Sequence, residues 1–239
     1  DSMSKPKQPP QVCISMPTYD LMQVSTCLSL IKLMDRFTMA KIKSTVQTFK
    51  SPYVGYGRNV LTAMFLETGM DYQLFVDSDM EFEPDVIGRM IIAEKDAICV
   101  PYRKKTQDNA VRFSVAFEDF NNIDIDKKGL VKLKVGPAGL TLIHRRVYEK
   151  LMKDRPDLKI TQKEIVSDTA NNYFYNFWDT TFDKNGRWWG EDTNFCNMIR
   201  KAGFDFYGIV DAETTHHGTY GWKGKLIDTF QQVNGKKHN

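Results

Sequence analysis

Tyr72-Gln73-Leu74-Phe75-Val76-Asp77-Ser78-Asp79-Met80 decides how the chain is read: a short apolar run breaks off into two carboxylates one residue apart. An uninterrupted apolar run of this length reads as a strand covered on both faces, the pattern of a parallel sheet. In open α/β sheets ligands bind at the carboxyl ends of the strands, which is where Asp77 and Asp79 fall. Extended backbone puts residues i and i+2 on one side, so both carboxylates can address the same point. Paired oxygens suit a hard divalent cation, which uses one or two carboxylates together with substrate phosphates. A solvated acidic turn fits the same residues, and the rest of the chain has to separate the two readings.

Upstream, residues 12–16 form another β-like run, ending at Pro17-Thr18-Tyr19. Asp20 and Gln23 have the spacing of a capping box, and Leu21, Val24, Leu28 and Ile31 recur at helical intervals. Residues 41–46 read as a second strand, and 51–57, with Pro52, Gly55 and Gly57, as a loop. Arg58-Asn59 opens a helix whose apolar positions are Val60, Leu61, Met64 and Phe65. Downstream, Pro84 suits a first helical position, Val86, Ile87, Met90 and Ile91 mark the buried stripe, and 97–100 is a further strand. Strand and helix alternate throughout this part, which calls for a parallel sheet.

After Pro101 the rhythm changes. Residues 111–117, 130–135 and 140–144 read as strands with no helices between them, an antiparallel extension. A helix starts over 147–152, and 154–185 has no clear period. Residues 191–202 form a helix with Phe195, Met198, Ile199 and Ala202 on one face and Gly203 at its stop. A strand comes next, over 206–210. The expected fold class is α/β, with a Rossmann-like, mostly parallel central sheet and a smaller antiparallel extension. The expected organisation is a flexible N-terminus over 1–11, a single domain over 12–222, and a polar, weakly held tail over 223–239.

With 239 residues, 41% hydrophobic and 12% aromatic, the chain can fill one sizeable core. Its net charge, 33 − 30 = +3, is too mild to imply nucleic-acid binding by itself. No apolar run approaches the roughly 20 residues that cross a bilayer, and the N-terminus lacks a signal-peptide core, so a cytoplasmic protein is expected. Cys13, Cys27, Cys99 and Cys196 are widely separated, without metal-type spacing; they read as ordinary thiols in a reducing compartment, two on strands and two on helices.

Three further constellations carry chemistry. Trp188-Trp189-Gly190-Glu191-Asp192 opens a helix with two acids. Acids in a first turn complement the helix dipole, but flat aromatic faces beside carboxylates also suit a sugar or a base, and a carboxylate there can act as a general base toward a hydroxyl. Thr215-His216-His217-Gly218 lies just past the strand over 206–210. One imidazole can complete a carboxylate-bound divalent site, and adjacent histidines do not easily both face one ion. Val135-Gly136-Pro137-Ala138-Gly139 is small enough to let backbone approach a ligand, or simply to turn.

In this order, P-T-Y after the first strand, R-N opening a helix, D-S-D after a strand, G-P-A-G before a strand, G-E-D-x-x-F on a helix and a late H-x-G, the chain resembles a glycosyltransferase of the GT-A fold. It is most similar to the family-2-like enzymes, including compact viral and bacterial forms, over residues 12–218. The resemblance implies a metal-dependent transfer from a nucleoside-diphosphate sugar, with UDP-sugar the expected donor and Mn²⁺ or Mg²⁺ the cofactor. It assigns Pro17, Thr18 and Tyr19 to the base and ribose, and Arg58 to the nucleotide or its diphosphate. Asp77 serves the ribose or metal side with Ser78 beside it, Asp79 the metal directly, and Gly139 the donor sugar. Glu191 and Asp192 match the E-D motif, whose aspartate is the usual base in inverting members. His216 matches the late metal-binding histidine, with His217 as the alternate, and Trp189 forms an acceptor platform.

The acceptor is open at this point: a glycan, a lipid-linked sugar, a protein or a hydroxylated DNA base. Arg103, Lys104 and Lys105 lie near the expected active face and would meet phosphates in the last case; a solvated basic loop explains them as well. Two other classes compete. A phosphatase of the haloacid-dehalogenase type needs Thr or Val four residues after its first Asp, where this chain has Glu81. A non-catalytic carbohydrate- or nucleotide-binding relative would bind without turnover.

Overall fold

The computed structural model describes residues 8–106, 111–162 and 166–230. In chain order the strands are β1 (Val12–Thr18), β2 (Ser44–Lys50), β3 (Tyr72–Val76), β4 (Met80–Phe82), β5 (Ala97–Cys99), β6 (Leu130–Leu133), β7 (Leu140–His144), β8 (Thr181–Phe182), β9 (Trp188–Trp189), β10 (Phe206–Ile209), β11 (Thr214–His217) and β12 (Gly221–Gly224). The helices are α1 (Val24–Met39), α2 (Val54–Thr68), α3 (Pro84–Ile92), α4 (Arg145–Asp154) and α5 (Glu191–Lys201).

Every residue of β3 is buried, because the strand lies inside a seven-stranded sheet of order β2-β1-β3-β7-β5-β10-β6. β2, β1 and β3 are parallel, as are β5 and β10, while β7 and β6 run against their neighbours. The fold is therefore α/β with a mostly parallel central sheet. Alternation along the strands feeds two apolar layers. Cys13 and Phe75 pack on one face with Leu61 and Phe65 of α2, Tyr148 of α4 and Phe195 of α5. Ile14, Leu74 and Val76 pack on the other with Leu33 and Phe37 of α1 and Ile87 and Met90 of α3. The antiparallel extension is a second sheet of order β12-β11-β4. It matters for the site because it brings residues 214–217 against the segment just past Asp79.

Several local expectations change. The Asp20–Gln23 capping box does not form: Gln23 is the N-cap without a side-chain hydrogen bond, and Asp20 pairs with Lys50. The apolar stripe faces outward, with Leu21 just before α1 and Val24, Leu28 and Ile31 on it exposed by 83%, 73%, 54% and 60%. The buried face is Thr26, Ser29, Leu33 and Phe37. Its first half is small and polar because α1 lies close on β4, where Ser29 Oγ accepts the Phe82 N–H at 3.1 Å. The second strand begins at Ser44 rather than 41, after Lys41 turns the chain at φ 56°.

Helix α2 begins at Val54, so Gly55 and Gly57 are helical, not loop. A Cβ on Gly55 would stand 2.2 Å from the Trp178 carbonyl oxygen, which explains glycine in a helix. Residues 111–117 make isolated bridges at Phe113 and Ala116 instead of a strand. The segment from 223 is not loosely held where it is described: β12 runs to Gly224, Leu226 is buried in the core, and Phe230 packs on Phe117 and Phe120. Residues 1–7 and 231–239, which carry the ends of the expected flexible terminus and tail, lie outside the described residues.

Candidate functional site

The carboxyl ends of β1 and β3 are neighbours in the sheet, so the chain segments that leave them meet. Pro17, Thr18 and Tyr19 from β1 and Asp77, Ser78 and Asp79 from β3 line one cavity of about 200 Å³, closed by Ser51, Pro52 and Val54 at the start of α2. Tyr19 is exposed at its rim. The residues that the resemblance gives to a nucleotide thus share a wall with both carboxylates.

Arg58 stands behind that wall. Its side chain is 3% exposed, and its Nη2 donates to both carboxylate oxygens of Asp77, at 2.9 and 3.1 Å. Its Nε is 4.0 Å from Glu191 Oε1, and its guanidinium lies over the rings of Phe75 and Trp178. Burial opposes its charge, but Asp77 and then Glu191 more than offset this, and its pKa is raised. Nε and Nη1 have no hydrogen-bond partner among the described residues. Arg58 thus orients Asp77 and neutralises it from behind. Burial raises the Glu191 carboxyl above its ordinary value despite Arg58, with Asp192 and Asp77 adding to the rise.

Asp79 faces a different set. His216 Nε2 is 3.5 Å from Asp79 Oδ2, and Lys105 Nζ is 2.5 Å from the same oxygen. His217 points the other way, as alternation along β11 requires: its Nε2 is 2.6 Å from Glu81 Oε2 and 3.0 Å from Ser25 Oγ. Of the two histidines, His216 is therefore the one beside the acid turn. Burial would raise the Asp79 carboxyl, but hydrogen bonds and charge from His216 and Lys105 hold it down at about 2.

His216 Nδ1 is 3.0 Å from the Arg103 carbonyl, and a carbonyl only accepts, so Nδ1 donates. In the neutral ring Nε2 then offers a lone pair to a carboxylate oxygen, and two acceptors facing each other need a proton or a cation between them. A ring nitrogen fixed by its other nitrogen's bond to a backbone carbonyl is the usual support of a metal-binding histidine. Asp79 and His216 thus fit a divalent ion whose remaining ligands come from phosphate oxygens. Both oxygens of Asp77 accept from Arg58, and among the described residues no group of three His, Cys, Asp or Glu side chains is arranged to hold a metal.

Gly139 packs directly against Asp77. Its carbonyl accepts the Asp77 N–H at 2.8 Å, its own N–H donates to Tyr102 Oη at 3.2 Å, and a Cβ on it would stand 2.6 Å from Asp77 Oδ2 and from Tyr102 Oη. Tyr102 also packs edge-on against His216, with centroids 4.7 Å apart. Neither Tyr102 nor the role of Lys105 was expected; the available signal was Pro101, which lies just past β5 and puts residues 102–105 at the carboxyl edge of the sheet.

At the head of α5, Asp192 Oδ1 accepts the Thr193 N–H at 2.7 Å. Trp188 is exposed, and Trp189 is stacked under the Arg187 guanidinium at 4.8 Å. From Trp189 a groove of about 860 Å³ runs along α5, past Asn194, Asn197 and Lys201, with Asn176 and Asp179 opposite. Arg103 is turned from this groove: its Nη1 donates to the Lys223 carbonyl at 3.2 Å. It braces β12.

No known protein family and no curated protein matches the sequence. Among solved structures the chain is similar to A197 from STIV, at 17% identity and a TM-score of 0.49, over 87% of this chain and 86% of that one. It is also similar to a glycosyltransferase involved in the glycosylation of the major capsid of PBCV-1, at 8% identity and a TM-score of 0.34, over 62% and 68%. A third similar structure is S. aureus TarS 1-349, at 15% identity and a TM-score of 0.35, over 70% and 54%.

Proposed function

We propose that this protein is a metal-dependent glycosyltransferase that moves a sugar from a nucleoside-diphosphate sugar, a UDP-sugar, to an acceptor hydroxyl. The observation that carries the reading is the meeting of two half-sites on one sheet edge. The cavity of Pro17, Thr18 and Tyr19 ends on Asp77, and the Asp79–His216 pair lies just beyond it. A base fits the first, a ribose hydroxyl can donate to Asp77, and a diphosphate then runs toward Asp79.

A divalent cation held by Asp79 and His216 would neutralise charge developing on the departing diphosphate. The chain's own residues do the rest. Arg58 fixes Asp77 in its hydrogen-bonding orientation. Gly139 lets the Asp77 carboxylate and the Tyr102 hydroxyl close on the backbone beside the acid turn, next to where the donor sugar would lie. Asp192 takes the proton of the acceptor hydroxyl as that oxygen bonds to the anomeric carbon and the bond to the nucleoside diphosphate breaks, with inversion if the displacement is direct. The raised Glu191 beside it is the second acid of that helix head.

A glycan is the better acceptor reading. The groove beyond Trp189 offers amides and carboxylates next to an indole, which suits hydroxyl-rich rings. A hydroxylated base in DNA would need a row of free cations for phosphates, whereas Arg103 is engaged by the Lys223 carbonyl and Arg155 and Arg200 in the groove pair with Asp157 and Glu118, which leaves Lys201 there.

Calorimetric titration with UDP and GDP, with and without Mn²⁺, tests the function on the wild type and on Asp79→Ala. UDP should bind at least about tenfold more tightly with Mn²⁺, a difference of about 1.4 kcal/mol, and the variant should lose that gain. Absence of binding by either nucleotide under both conditions would sink the reading.

A further inference from the structure

Lys105 reaches Asp79 from the segment just past β5, and it is seated there. Its Nζ lies 2.5 Å from Asp79 Oδ2, the same oxygen that faces His216 Nε2 at 3.5 Å. The segment is tied on both sides of the lysine. The Arg103 carbonyl meets His216 Nδ1, and Trp222 Nε1 donates to the Thr106 carbonyl at 3.1 Å. The aliphatic stem passes over Gly218, where a Cβ would come within 3.4 Å of Lys105 Cδ and 3.6 Å of Cε. The side chain is one-third exposed, so its head can leave without unfolding anything.

We infer that Lys105 is a resident cation of the Asp79 site, and that a divalent ion enters only by displacing it. The inference deepens the proposed function at the same site and rests on that reading for the identity of the incoming ligand. An ammonium on Asp79 Oδ2 satisfies the carboxylate that an ion would need. An ion in the Asp79–His216 gap would stand beside that ammonium, and like charges at such separation repel strongly. The two therefore exclude one another while the site has only one carboxylate to offer. A diphosphate changes the balance, because its oxygens can serve the metal and receive the released lysine together. Metal and nucleotide then favour each other's binding by the same factor, as linkage requires.

Mn²⁺ alone is the first probe, tracked by the electron paramagnetic resonance signal of the free ion with the full chain and no nucleotide. Lys105→Met should bind Mn²⁺ at least tenfold more tightly than the wild type. Lys105→Arg, which keeps the charge, should stay as weak as the wild type, and adding Asp79→Asn to Lys105→Met should remove the gain. UDP should then tighten Mn²⁺ binding more in the wild type than in Lys105→Met. Equal Mn²⁺ affinity in wild type and Lys105→Met, or no binding by either, overturns the inference, and so does a Lys105→Arg that gains as much as Lys105→Met. Near-UV circular dichroism checks that each variant is folded, and Lys105→Gln serves if Lys105→Met is not. Gain of Mn²⁺ binding in Lys105→Met with no binding of UDP or GDP by any form upholds the role of Lys105 and removes the glycosyltransferase reading, so the two fail separately.

Discussion

Arg58 answers to two carboxylates from different elements, Asp77 at the end of β3 and Glu191 at the head of α5. Removing one member of a buried ion pair leaves the other desolvated and uncompensated, at a cost of about 3–5 kcal/mol. Arg58→Met should lose about that much in urea unfolding, and Arg58→Lys should recover little, because an ammonium cannot reproduce the planar fork. A loss below about 1 kcal/mol, the range of solvent-exposed ion pairs, would show that the pair is solvated. The dipeptide Arg58-Asn59 is visible in the sequence as a helix feature, but its burial is not. Arginine is almost never fully buried unless paired, and its partner lies 19 positions away.

Among the elements, β3, β7 and α5 are legible because their patterns and their packing agree: apolar runs that are buried on both faces, and a helix with one apolar stripe and a glycine stop. Helix α1 is not, because two apolar stripes compete and the more obvious one is on the outside. Thr26 and Ser29 are chosen for size and a hydrogen bond at the contact with β4, and hydropathy cannot register that. The contrast is measurable. Leu28→Gln should leave stability within about 0.5 kcal/mol of wild type, whereas Leu33→Ala should cost about 2–5 kcal/mol. The reverse order of chemical-denaturation midpoints would place the wrong face against the sheet. Similarly, Gly55 and Gly57 look like loop residues, yet both are helical, and Gly55 is the close approach between α2 and the Trp178 backbone.

At the scale of the molecule, the site sits where the two halves of the sheet and the small second sheet converge, and its acids feel one another. Glu191 has its pKa raised by burial, so the folded state binds its proton more tightly than the unfolded state does. Its contribution to stability is therefore fully present below its ordinary value of 4.5 and is lost as pH rises through the raised one. The stability of the wild type minus that of Glu191→Gln, from denaturant midpoints across this interval, should fall with rising pH. A flat or rising difference would mean the carboxyl is not held against its charge. The order of the motifs along the chain was enough to suggest the assembly, and the division of labour within it was not. That Asp77 belongs to Arg58, Asp79 to His216 and Lys105, and His217 to Glu81 depends on which face of a strand each residue occupies after distant strands have paired.

One such pairing sets a timetable. The His217 N–H donates to the Asp79 carbonyl at 2.8 Å, and β11 lies against β4 across most of the length of the chain. A nascent chain that has emerged from the ribosome only as far as α5 already displays both aspartates, yet has no imidazole opposite the second. The facing of Asp79 and His216 has to await the arrival of β11, so a fragment cut short before that strand carries only the first half of the site.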